Sequence, residues 1–146
     1  MLTSYRWIRG LIGPGLMLLL FSAGCEHADP LSDMLPDEEV VSFATLQTNI
    51  FNLNCALSGC HTGTFPPQGL NLSAGQAYAS LVGVTAQESP DLLRVKPDDP
   101  DNSYLFLKIT GSSRINGQRM PLGRTALSAE QIDLVRRWIE QGAKNN

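Results

Sequence analysis

The apolar residues of this chain fall into short, separated blocks. Phe43, Leu46, Ile50, Phe51 and Leu53 recur near helical spacing behind Ser42, a natural N-cap, and predict a helix that runs into Cys55. A second short helix is predicted over Ala74–Val82, opened by Ser73 and closed by Gly83. Pro90 to Pro100 is rich in turn residues, with a strand-like apolar piece at Leu92–Val95. Asn102 or Ser103 caps a third helix through Tyr104, Leu105, Phe106, Leu107 and Ile109, which Gly111 ends. The strongest pattern comes last. Ser128-Ala-Glu-Gln131 is a capping box, and Ile132, Val135 and Ile139, flanked by Leu134 and Trp138, form an apolar face that stops at Gly142. These elements predict an all-α domain of three to five short helices joined by long loops. A domain of ~100 residues buries only about two-thirds of its unfolded surface, so such loops call for more than the apolar core to hold them.

Ahead of this region the pattern changes. Met1–Gly10 carries Arg6 and Arg9, and an apolar run follows from Leu11. Leu11–Gly24 offers 14 residues with Pro14 among them, short of the ~20 a spanning helix needs. The stretch therefore reads as an export signal. Its end, Ser22-Ala-Gly-Cys25, resembles the lipobox of bacterial lipoproteins, although Ser22 stands where that family usually has Leu. The resemblance implies that Cys25 is lipidated and leads the mature chain; ordinary signal cleavage is the alternative. Either way, losing Arg6 and Arg9 takes the net charge from −3 to −5. From Glu26 to Val41 come Pro30, Pro36 and six acids with few large apolar residues, the composition of a flexible tether. His27 and Met34 lie within it and read as solvated linker residues. The expected organisation is a signal over residues 1–24, an acidic tether over 25–41 and a folded domain over 42–146.

Charge narrows the function. Eleven cations against fourteen carboxylates leave no basic surplus for a phosphate backbone, which argues against nucleic acid. No phosphate loop, metalloprotease helix or nucleophile elbow occurs, and a thiolate beside its own histidine in sequence seldom has the geometry for base catalysis. No enzymatic activity is expected.

The residues that most need a chemical explanation are Cys55-Ala-Leu-Ser-Gly-Cys60-His61. In an exported chain two nearby cysteines can form a disulfide, but that leaves His61 without a role. Zinc usually takes four protein ligands, and the domain holds no further Cys or His. A covalent haem uses all three: each thiol adds to a porphyrin vinyl group and the adjoining histidine becomes the proximal iron ligand. The usual spacing is two residues between the cysteines and this chain has four, with Ser58-Gly59 suited to loop out. For the opposite face of such a haem, Met120 is the available sulfur. It lies 59 residues beyond His61 in Gly117-Gln-Arg-Met-Pro-Leu-Gly123, a segment with little else to form a core. Core packing is the competing reading of a lone methionine.

Taken together the landmarks resemble the monohaem c-type cytochrome domains, in particular the type found in exported proteins of Planctomycetes and Deltaproteobacteria. The resemblance covers about Ser42 to Ala143. It rests on Cys55-x4-Cys60-His61, Gln68-Gly-Leu-Asn-Leu72, Val95-Lys-Pro-Asp-Asp-Pro-Asp-Asn-Ser-Tyr-Leu105, Arg119-Met-Pro121, and Leu127-Ser-Ala-Glu-Gln131 leading to Trp138-Ile-Glu-Gln-Gly-Ala143. It implies a cytochrome c-like all-α fold around one covalent haem c, with Cys55 and Cys60 as thioether positions, His61 as proximal ligand and Met120 as distal ligand. The implied function is single-electron transfer in the periplasm, from a carrier anchored to a bacterial membrane through Cys25. The mature charge suggests redox partners with a basic docking face. Phe65, Leu70, Leu72, Leu105 and Leu122 are candidate pocket walls, and Arg114, Arg119 and Arg124 candidate partners of the haem propionates. Two other functions stay open: a haem-based gas sensor or binder, and a haem-free exported interaction module with a Cys55–Cys60 disulfide.

Overall fold

The computed structural model describes residues 39–146; Cys25, His27 and Met34 lie outside the described residues. Helix α1 spans Phe43–Leu46, and Ser42 caps it, its Oγ accepting the Thr45 N–H at 3.1 Å. The chain then continues without a break into a π-helix over Gln47–Cys55. Its wider turns end in an i to i+5 bond, the Ala56 N–H donating to Phe51 O at 2.7 Å. Helix α2 covers Ala77–Leu81, α3 Tyr104–Thr110 and α4 Ala129–Glu140. The capping box at Ser128 is complete, with Gln131 reaching back to the Ser128 N–H.

The core lies where α1 and the π-helix meet α4. Leu46, Ile50, Phe51, Val135, Trp138 and Ile139 are almost fully buried there. Phe43 sits between Phe51, Tyr78 and Trp138, with ring centroids 6.0, 5.3 and 5.4 Å away. Each large side chain removed from water contributes about 1.5–3 kcal/mol, so this junction is the main source of stability. The Trp138 indole N–H is not left unpaired, since it donates to Lys144 O at 2.9 Å. Val41, placed in the tether by composition, is buried and donates its N–H to Gln141 Oε1 at 2.8 Å.

The expected all-α, cytochrome c-like architecture is overturned: the fold is mixed α/β, and no haem-binding fold is shown. Strands β1 (Thr85–Ala86) and β2 (Ser89–Leu93) form a two-stranded antiparallel hairpin, pairing Thr85 with Leu93 and Ala86 with Ser89. The physical reason is local. The chain leaving α2 has to fold back along itself, and the Arg94 N–H donates to Val84 O at 2.7 Å while the Val95 N–H donates to Leu81 O at 3.1 Å. These bonds satisfy backbone groups that a bare loop would leave to water. Isolated parallel bridges join Val82 to Val95 and Leu93 to Ser103, so the hairpin is stitched to the start of α3.

Candidate functional site

The π-helix delivers Cys55 to the edge of a cavity of about 340 Å³. Beyond it the chain makes a tight turn, the Cys60 N–H donating to Leu57 O at 2.9 Å, with Gly59 in the left-handed region at φ 78°. Glycine adopts that conformation without steric cost. The four residues between the cysteines are thus absorbed in a turn, and the His61 N–H closes it by donating to Cys55 O at 3.1 Å. Cys55, Cys60 and His61 consequently line one cavity wall, both thiols being free.

His61 is held from two sides. Its carbonyl accepts the Leu72 N–H at 2.8 Å, and its Nδ1 lies 3.3 Å from Leu70 O. A carbonyl only accepts, so Nδ1 is the protonated nitrogen and Nε2 keeps its lone pair for a metal. Burial pushes the imidazole below its ordinary pKa, outweighing the Leu70 bond that raises it. Burial also pushes the Cys55 thiol up to about 11, with the neighbouring Cys60 adding to the rise.

Met120 lines the same cavity, brought there by a loop distant in sequence. Its N–H donates to Lys108 O at 2.9 Å, which ties the loop to the end of α3. Of the five apolar residues singled out as walls, only Leu122 lines the cavity. Leu72 is buried in the core, Leu70 and Leu105 pack against that core, and Phe65 is 95% exposed.

The arginines sort in a similar way. Arg124 lines the cavity, whereas Arg114 donates to Asp101 O and Asn102 Oδ1, and Arg119 runs its stem along Gly111. Among the wall residues that were not anticipated are Arg94, Glu88, Tyr104 and Lys108. Arg94 is buried and donates to Gln68 O at 2.6 Å and Ser80 O at 2.7 Å. One sequence signal was available for it, a lone cation between Leu92-Leu93 and Val95. Arg94, Lys108 and Arg124 against Glu88 give the wall an excess of two positive charges, in a chain whose net charge is −3.

The donor set matches what a covalent haem needs. Two free thiols, an imidazole with an available Nε2 and a thioether share the cavity, and the surplus of two cations suits a macrocycle bearing two carboxylates. The residues fit. Zinc has less support, as among the described residues no three His, Cys, Asp or Glu side chains gather to hold an ion. No protein-family model, curated protein or solved structure matches the chain, and nothing in those comparisons identifies a cytochrome c domain.

Proposed function

We propose that this protein is an exported electron carrier that holds one haem c on a small mixed α/β frame. The observation that carries the reading is the meeting of Met120 with Cys55, Cys60 and His61 around a single cavity. When bound, the haem supplies a one-electron iron couple. The chain's own residues do the rest. Cys55 and Cys60 fasten the group by thioethers in both oxidation states, and His61 presents Nε2 because Leu70 O holds its other nitrogen. Met120 would offer a soft thioether sulfur, a ligand type that favours the reduced metal. Arg124 supplies donors and positive charge for a carboxylate, while Leu122 and Pro121 cover apolar surface.

Cys25 belongs to the same proposal as the point of lipid attachment, which would keep the carrier at a bacterial membrane on the periplasmic side. A net charge of −5 after signal removal favours partners with basic docking faces, an association that weakens with salt. The test is expression in a host competent for cytochrome maturation, followed by a pyridine haemochrome spectrum and intact mass. A c-type haemochrome with the added mass of one haem supports the reading. Colourless protein lighter by two hydrogens overturns it in favour of a disulfide-bonded module.

A further inference from the structure

The hairpin and the loop that carries Met120 are distant in sequence, yet one polar cluster joins them. Lys108, on α3, is 7% exposed. Its Nζ donates to Glu88 Oε2 in the hairpin turn at 2.9 Å and to Asn116 O in the methionine loop at 2.9 Å. Tyr104, one turn earlier on α3, donates its hydroxyl to the same Glu88 oxygen at 3.1 Å and accepts the Asn116 N–H at 3.1 Å. The Asn116 side-chain amide donates to Glu88 O. Finally, the Met120 N–H donates to Lys108 O, so the residue at the centre of the cluster also anchors the methionine.

This economy has a physical meaning. The loop from Ser112 to Leu127 contains no helix or strand, and Asn116, Gly117, Gln118 and Arg119 are exposed. Such a segment is free to sample many conformations unless its backbone is fastened. Apart from its own local turns, its start is tied by the Ser112 N–H to Leu107 O and by Arg114 to Asp101 O and Asn102 Oδ1, and two tethers hold the stretch that carries the methionine: the bonds of Asn116 to Lys108, Tyr104 and Glu88, and the bond of Met120 to Lys108. A charge buried this deeply is costly without partners, and here both hydrogen-bond acceptors of Nζ lie in the hairpin turn or in the loop.

From this geometry we infer that Glu88, Tyr104 and Lys108 are positioning residues that hold the Met120 sulfur over the cavity, and that the hairpin serves as the outer abutment of that brace. The inference rests on the haem reading above and names the device that keeps its second axial ligand in place.

The experiment uses the full haem-loaded chain and compares Lys108→Leu, Glu88→Ala and Ser112→Ala with the unaltered protein. Lys108→Leu keeps apolar bulk and helix propensity, removes the ammonium and brings no new sulfur to the cavity. Glu88→Ala, on the hairpin turn, serves if the buried substitution prevents folding. Ser112→Ala alters the same loop away from the brace. The readouts are the pyridine haemochrome, the far-red band of sulfur-ligated ferric haem, and carbon monoxide binding to the ferrous form. Lys108→Leu and Glu88→Ala are expected to retain covalent haem yet lose the far-red band and admit carbon monoxide, with Ser112→Ala unchanged. A band retained in both brace variants, or lost equally in Ser112→Ala, overturns the brace. An unaltered protein without haem overturns the function reading itself, and the haemochrome tells these failures apart.

Discussion

His61 Nδ1 and the carbonyl of Leu70 lie 3.3 Å apart, a contact across nine residues that fixes which imidazole nitrogen faces the cavity. A ligating histidine needs such a partner to set its tautomer and ring plane. His61→Ala is therefore expected to remove low-spin haem while leaving both thioethers able to form. Absorption of the purified variant checks this: a low-spin spectrum equal to that of the unaltered protein would show that another residue holds the iron.

Met120 makes a separable prediction because its thioether sits on a loop tied to α3 and not on the His61 segment. Replacing it by alanine is expected to leave haem attached, lower the reduction potential and open a face to carbon monoxide. Redox titration together with carbon monoxide difference spectra gives the answer. An unchanged potential would return Met120 to ordinary packing.

The haem-free protein carries a pH signature at Cys55. Burial and the neighbouring Cys60 push its thiol from the ordinary 9.0 to about 11. The folded thiol thus holds its proton more tightly than the unfolded one. Its contribution to stability is whole below pH 9.0 and is lost as pH climbs towards about 11, where both states are ionised. Alkylation of Cys55, followed by peptide mass analysis, should rise with pH along a curve centred near 11. A curve centred at the ordinary value would show that the thiol is not sheltered.

How much of this was legible beforehand varied with the range of the interactions. The last helix was readable because a capping box and an apolar stripe are local signals, and both reappear at Ser128 and along α4. Met120 stood out for the opposite reason, as a lone sulfur in a segment with little to pack against, and it lines the cavity. Of the hairpin, the strand-like piece at Leu92–Val95 was anticipated and overlaps β2 at Leu92 and Leu93, but its pairing with β1 was missed. Its first strand is two residues long, its second contains Pro90 and Asp91, and its turn, Gln87-Glu88, lacks the Gly or Asn that usually signals a tight hairpin. Strand pairing there is settled by α2 and α3 on either side, which no short window contains. Arg94 and Lys108 drew no expectation from the sequence because their burial depends on carbonyls and a carboxylate from other elements. Phe65 shows the converse error, an aromatic residue assigned to a wall and found in solvent.

Arg94 gives the sharpest stability test. Its guanidinium donates to Gln68 O and Ser80 O, and more weakly to Gly69 O at 3.5 Å, so one buried side chain pins the turn at Pro67–Gly69 against α2 beside the hairpin. Hydrogen bonds from a charged donor are worth about 1.5–3 kcal/mol each, and the carbonyls left behind would be partly buried. Because such losses are not additive, Arg94→Met is expected to cost about 3 kcal/mol in urea unfolding. Arg94→Lys should recover little, since one ammonium on a flexible stem does not present the planar fork that reaches both carbonyls. A loss below about 1 kcal/mol for the methionine variant would mean that these bonds merely replace equally good ones to water. Full recovery by lysine would show that charge alone, and not the fork, holds the turn in place.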